Sequence, residues 1–124
     1  VSEGLTECLE TVARGGRPPT PHYHDSAASV STVLASRGYP DRPEQGAVIT
    51  LPDEPPEGVT IFHAGTVRDD DGRLRVAGGR VLNVTAVGTS FTQAQAQSRA
   101  AAEQIGFEGK VFRRDIGWRE TGRR

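Results

Sequence analysis

Glycine and proline interrupt this sequence so often that few segments are long enough to form a helix. There are 15 glycines and 8 prolines in 124 residues. Each proline removes a backbone donor and fixes φ, and each glycine offers the chain a turn. The intervals between them are short, and several are rich in Val, Ile and Thr. That pattern predicts short strands joined by loops, with few helices. Hydrophobic residues make up 35% of the chain and aromatics 6%, which is a lean core. The length suits one domain over 1–124 rather than two.

Two segments keep helical spacing. In residues 1–14, Val1, Leu5, Cys8, Leu9 and Val12 fall on one face. Ser2 and Glu3 lie near the start, where acceptors and negative charge suit the unpaired amides. Gly15-Gly16 and Pro18-Pro19 end the segment, and Cys8 on its apolar face reads as core. The second helix opens at Ser90, with Gln93 completing a capping box. Phe91, Ala94, Ser98, Ala101, Ala102 and Ile105 lie along one of its faces, and Gly106 ends it. That face is mostly small, so the helix can approach a sheet closely.

The remaining segments read as strands: 27–36, 47–50, 58–68 with a bend at Gly65, 80–88 and 110–116. Asp71-Gly72 suits a two-residue hairpin turn, because both positions tolerate positive φ. Paired apolar residues in 80–88 predict burial on both faces of that strand. The order is helix, strands, helix, strand, which predicts an α+β fold with a small, mainly antiparallel sheet. A helix crossing between Val84 and Val111 also allows one parallel pair.

The formal net charge of −1 argues against a general nucleic-acid or membrane-surface binder. The charge is nonetheless uneven. Residues 41–71 carry eight acids against two arginines, whereas 107–124 carry six basic residues against three acids. A basic end on a neutral chain predicts a local anion site. Cys8 is the only cysteine, so no internal disulfide forms. No apolar run approaches the roughly 20 residues of a membrane span. The first residues lack the basic start and apolar stretch of a signal peptide. The expectation is a soluble cytoplasmic protein. Methionine is absent, the initiator included, so the chain is expected to be a piece of something longer.

The basic end centres on VFRRDIGWRE, residues 111–120. Neighbouring side chains on a strand point to opposite faces, so Arg113 and Arg114 share a cleft only if the backbone bends. Gly117 permits such a bend. Arginine suits phosphate because its planar fork offers paired donors and stays charged. From the residues alone the simpler reading is two surface arginines paired with Asp115, Glu108 or Glu120. SRGYP, residues 36–40, reads as a turn whose exposed amides could meet a ligand. HYHD, residues 22–25, matches no strong zinc signature, a third ligand would have to be His63 or a distant acid, and the pair reads as solvated loop histidines. His63 itself reads as a half-buried strand histidine bonded to backbone. GGR, residues 78–80, has neither dinucleotide nor Walker spacing and reads as a strand bend or bulge. No nucleophile with a base, carboxylate pair or metal cluster emerges, so no residue is assigned a catalytic or metal-binding role.

Four ordered segments together resemble one family. VLASRGYP (33–40), FHAGT (62–66), AGGRVLNVTAVG (77–88) and FRRDIGWR (112–119) look like the C-terminal domain of glycinamide ribonucleotide synthetase, also called phosphoribosylamine–glycine ligase, of the ATP-grasp superfamily. The resemblance implies a small β-rich domain of the rudiment single hybrid motif type, barrel-like, with two helices. It implies a role in de novo purine synthesis, where the complete enzyme joins glycine to 5-phosphoribosylamine. ATP is hydrolysed there through a glycyl phosphate intermediate, and magnesium is required. The family's ATP- and magnesium-binding segments have no counterpart here. The chain alone is therefore expected to be inactive and to bind neither ATP nor magnesium. Its expected partners are the N-terminal and ATP-grasp portions of the same enzyme and the small-molecule substrate, with no nucleic acid and no membrane. The alternative is a free-standing, non-catalytic binding module derived from that enzyme.

The resemblance also ranks the residues. Related ATP-grasp enzymes end in a similar basic pair followed by glycine, which holds the substrate's ribose phosphate. By that likeness Arg113 and Arg114 are expected to bind the 5′-phosphate, with Gly117 allowing close backbone approach. Arg37, Gly38 and Tyr39 are expected to form a loop near the same cleft. Asp115 is expected to orient one arginine, and Arg80 is a further candidate.

Overall fold

The computed structural model describes residues 4–22 and 26–120. Its elements are α1 (Leu5–Ala13), β1 (Ala28–Ser36), β2 (Val59–His63), β3 (Thr66–Arg68), β4 (Leu74–Val76), β5 (Arg80–Gly88), α2 (Phe91–Gln104) and β6 (Lys110–Val111). Four strands form one sheet in the order β2-β5-β1-β6, and β3 pairs with β4 in a separate ribbon. Every pairing is antiparallel. The parallel pair that the crossover helix would have allowed does not form, because β6 joins the edge beside β1 and not β5.

The α+β architecture thus matches the expectation, but several strands differ. The stretch 58–68 is not one bent strand. It splits into β2 and β3, which belong to different sheets. A Cβ at Gly65 would lie 2.7 Å from both Arg80 O and Gly78 Cα, so only glycine lets the two backbones cross there. Residues 47–50 contribute only isolated bridges, Val48 to Arg75 and Thr50 to Gly106. The β3–β4 turn is longer than two residues: Asp69 N–H donates to Arg73 O at 3.0 Å, and Gly72 takes φ 78°. The side chain of Asp69 closes this turn. It accepts from Arg73 N–H at 2.8 Å and from Arg75 Nε at 2.5 Å. The pairing with Arg75 holds its carboxyl below the ordinary value.

One face of the sheet makes the core. On β1, Val30, Thr32, Leu34 and Ser36 are buried, while Ser29, Ser31 and Val33 are exposed. On β5 the buried set is Val81, Leu82, Val84 and Ala86, so double-sided burial is confined to its start. There Leu34 pairs with Leu82 but Ala35 pairs with Arg80, leaving Val81 as an extra residue in a bulge.

Helix α2 covers that face. Ser90 Oγ accepts from Gln93 N–H at 3.2 Å. The Gln93 side chain returns to Thr89, accepting from its N–H at 2.9 Å and its hydroxyl at 2.8 Å. The capping box therefore forms, displaced by one residue on its return arm. Ala94, Ser98, Ala101 and Ala102 are buried against the sheet. Ile105 is already extended, so the helix ends before Gly106, which instead bridges to Thr50.

Helix α1 stands apart. Gly15 at φ 77° and the Gly16 N–H to Thr11 O bond of 2.9 Å end it as the sequence predicts. No residue of it is buried, and it adds nothing to the core. Cys8 is not core: it is half-buried, and its thiol donates to Pro19 O at 3.3 Å. Val1, Ser2 and Glu3 lie outside the described residues.

Candidate functional site

The strand expected over 110–116 is only two residues long, so Arg113 and Arg114 follow it rather than sit on it. Gly109 starts the segment beside the first turn after β1, where Arg37 N–H donates to Gly109 O at 2.8 Å. Lys110 then folds back over the end of α2. Its Nζ donates to Ala102 O at 3.0 Å, to Glu103 O at 3.3 Å and to Ile105 O. These carbonyls have no partner within the helix, and a cation there also opposes the helix dipole. Burial lowers the Lys110 pKa from its ordinary value. The Phe112 ring packs against the core, with Lys110 Nζ 5.4 Å and the Arg114 guanidinium 5.6 Å from its centre. Phe112 is thus the anchor from which the two arginines project.

The two arginines diverge. Arg113 lines a cleft of about 540 Å³ together with Gly38, Tyr39, Arg80, Val33, Ala35, Val111 and Phe112. Arg114 lines a different groove of about 480 Å³ against α2, beside Arg99, Glu103, Asp115 and Trp118. Arg113 is held by Asp115 through two bonds, Nε to Oδ1 at 2.9 Å and Nη2 to Oδ2 at 2.7 Å. This fork geometry is the strong form of the pair. The hydrogen bond to Asp115 raises the Arg113 pKa, and the same bond lowers that of Asp115.

The loop after β1 contributes the opposite wall. Gly38 has φ 81°, and a Cβ there would lie 2.2 Å from Arg42 O, so the turn requires glycine. Arg42 N–H closes it by donating to Gly38 O at 2.8 Å. The Tyr39–Pro40 peptide is cis. The Tyr39 ring lies on Gly79, where an added Cβ would come within 2.2 Å of Cδ2. Tyr39 and Arg80 also line a second cavity of about 530 Å³ with Ala64, Gly79 and Asn83. The pair therefore stands between two hollows. Arg37 does not line the cleft; its guanidinium faces Glu44 at 3.5 Å.

Gly117 is at φ 76°, and a Cβ there would lie 2.3 Å from Phe91 Cζ. Glycine is needed at this position to pack the turn on the start of α2. Gln95 Nε2 reinforces the contact by donating to Ile116 O at 2.5 Å.

The histidines offer nothing further. His63 is exposed rather than half-buried, and its Nδ1 pairs with Thr66 Oγ1 at 3.1 Å instead of with backbone. His22 is exposed, and His24 and Asp25 lie outside the described residues. Among the described residues no group of three or more His, Cys, Asp or Glu side chains converges on one point. None of the described helices is long and apolar enough to cross a membrane.

The cleft brings apolar residues of β1 and β6 together with two arginines, Arg80 and Arg113. Such a site suits an anionic group carried on a less polar body. The sequence reading missed the apolar lining. Val33 and Ala35 occupy the outward positions of β1, where Ser29 and Ser31 are polar, and that change of character was the available signal.

The profile of the family described as "Phosphoribosylglycinamide synthetase, C domain" matches residues 29–119. Among curated proteins, the phosphoribosylamine–glycine ligase of Phenylobacterium zucineum (strain HLK1) is 48% identical over 122 residues, covering 96% of this chain and 29% of that protein. The chloroplastic phosphoribosylamine–glycine ligase of Arabidopsis thaliana is 45% identical, covering 77% of this chain and 18% of that protein. Among solved structures, the crystal structure of phosphoribosylamine–glycine ligase from Thermotoga maritima aligns with a TM-score of 0.79 at 40% identity, covering 91% of this chain and 27% of that one. The chain spans less than a third of the length of these relatives. With the four ordered motifs, the antiparallel sheet under a small-residue helix and a profile match over most of its length, the chain belongs to the phosphoribosylglycinamide synthetase C-domain family.

Proposed function

We propose that this chain is the substrate-side domain of an ATP-dependent ligase that joins glycine to 5-phosphoribosylamine in purine synthesis, working in the cytoplasm. The 5′-phosphate of phosphoribosylamine would sit at the mouth of the 540 Å³ cleft. The observation that carries this reading is convergence: Gly38 and Tyr39, Arg80, and Arg113 come from three separate motifs and line one cleft. Arg113 and Arg80 would hold the phosphate oxygens through charge-assisted bonds. Asp115 would keep the Arg113 fork aimed, and the apolar lining would face the sugar. Arg114 would act from the other side of the segment, fixing Phe112 through its ring face. ATP and magnesium would be held by portions of the ligase other than this chain, as the resemblance implies.

The test is steady-state kinetics of the full-length ligase. Arg113→Ala and Arg80→Ala should each raise KM for phosphoribosylamine by roughly tenfold or more, as expected for loss of a charged hydrogen bond, with KM for ATP unchanged. Unchanged phosphoribosylamine kinetics in both variants would overturn the assignment.

A further inference from the structure

Strand pairing stops at Ala35–Val111, so Phe112 and Arg113 lie on backbone outside the sheet. An arginine there holds an anion well only if something else fixes the chain beneath it, because loose torsions must otherwise be frozen on binding. Lys110 lies where the chain leaves the sheet. Its ammonium has three N–H donors. Three carbonyls at the end of α2 accept from it: Ala102 O at 3.0 Å, Glu103 O at 3.3 Å and Ile105 O. The same Nζ stands 5.4 Å from the centre of the Phe112 ring, which packs on the core. Lys110 also pairs with Ser36 across the sheet, and its N–H donates to Phe107 O at 3.2 Å.

Building on the proposed function, we infer that Lys110 is a positioning residue for the anion site. It ties the Phe112 ring to the end of α2, and through Phe112 it sets where the Arg113 guanidinium meets the substrate's phosphate. Three elements join at this one residue: α2 through its last carbonyls, β1 through Ser36, and the arginine segment through the ring.

A helix cap is the simpler role, and it accounts for less. A cation near the last carbonyls opposes the helix dipole wherever its own backbone is anchored. One reaching in from solvent would serve equally and would keep its ammonium hydrated. Here burial lowers the Lys110 pKa, so the charge is held against a desolvation cost. The geometry gained is a fixed ring immediately before Arg113.

The experiment is steady-state kinetics of the full-length ligase with Lys110→Met, Arg113→Ala and the double variant. Methionine keeps most of the apolar stem and removes the donors. Lys110→Met should raise KM for phosphoribosylamine by about fivefold, with kcat and KM for ATP within about twofold of the unsubstituted enzyme. In the Arg113→Ala background the same substitution should change that KM by less than about twofold, because the group it positions is gone. A purely structural role would lower the active fraction, and so kcat, and would leave KM unchanged. Lys110→Arg tells positioning from capping. It restores the positive charge at the end of α2, but a planar fork does not converge on three carbonyls. Its urea midpoint should recover from that of Lys110→Met while KM stays raised. Recovery of both would reduce Lys110 to a helix cap and overturn the inference. So would a KM that Lys110→Met leaves unchanged while Arg113→Ala raises it, or equal increments in the two backgrounds. Arg113→Ala without effect would instead defeat the proposed function, and this inference with it.

Discussion

Thr32 and Ser98 join the sheet to the helix through a buried hydrogen bond of 2.7 Å between their hydroxyl oxygens. Ser98 in turn donates to Val84 O at 2.8 Å, so Thr32 is the donor to Ser98. Both residues are almost fully buried, at 3% and 0% exposure. One hydroxyl on α2 thereby fixes its position over two adjacent strands, β1 and β5. Ser98→Ala should destabilise the fold by about 1–3 kcal/mol, because it leaves the Thr32 hydroxyl buried without its acceptor. Urea unfolding of the single variant and of Thr32→Val/Ser98→Ala checks this. The double variant should lose less than the sum of the two single losses.

Gly117 and Phe91 form a second tight relationship. Gly117→Ala combines a side chain at positive φ with a clash against the Phe91 ring. The expected loss is about 2 kcal/mol, by comparison with overpacked sites and with glycine-to-alanine changes at positive φ. In a Phe91→Ala background the clash is gone and the increment should fall to about 1 kcal/mol. Equal increments in both backgrounds, measured by thermal or urea unfolding, would show that the ring contact is not what demands glycine.

Asp69 governs part of the acid response. Its pairing with Arg75 lowers its pKa below the ordinary 3.8, so the folded state holds fewer protons than the unfolded state in that window. The stabilisation is complete above the unfolded value and disappears as pH falls through the lowered one. Asp69→Asn should therefore flatten the decline in stability below about pH 4. The measurement is the urea midpoint as a function of pH for both proteins; parallel curves would contradict it.

The Asp115 fork separates position from charge. Asp115→Asn keeps Arg113 in place but loosens its orientation. Under the proposed function, KM for phosphoribosylamine in the full-length ligase should rise by roughly threefold, less than for Arg113→Ala. Arg114→Ala, on the other side of the segment, should have the smaller effect of the two arginine truncations. If Arg114→Ala were the more damaging, the phosphate would belong in the groove against α2.

The two helices and the mainly antiparallel α+β class were legible because their signals are local, whereas the strand order was not. Ser90 and Gln93 announce the α2 cap, and the alternation of Val30, Thr32 and Leu34 announces the buried face of β1. The split at Gly65 was not legible, since it depends on the backbone at Gly78 and Arg80 crossing nearby. The two-residue length of β6 was equally hidden: Val111 and Phe112 read as strand, but pairing stops at Ala35–Val111 although β1 itself runs back to Ala28. For the cleft, the resemblance already put Gly38 and Tyr39 near Arg113, while only the fold adds Arg80 to them and leaves Arg37 and Arg114 out of the lining.

The extra residue at Val81 settles which side of the sheet Arg80 serves. Side chains alternate along a strand, so counting back from the inward Leu82 without interruption would turn Arg80 toward the core. The bulge inverts the count and sets Arg80 beside Ala35 on the open side instead. Straightening the strand with Val81 kept would reverse the phase of everything before it and turn a charge toward the interior. Deleting Val81 would instead leave Arg80 opposite Ala35 and remove only a buried side chain. The bulge thus absorbs one residue without changing the face on which the arginine emerges, so the core gains a valine and the cleft keeps its cation.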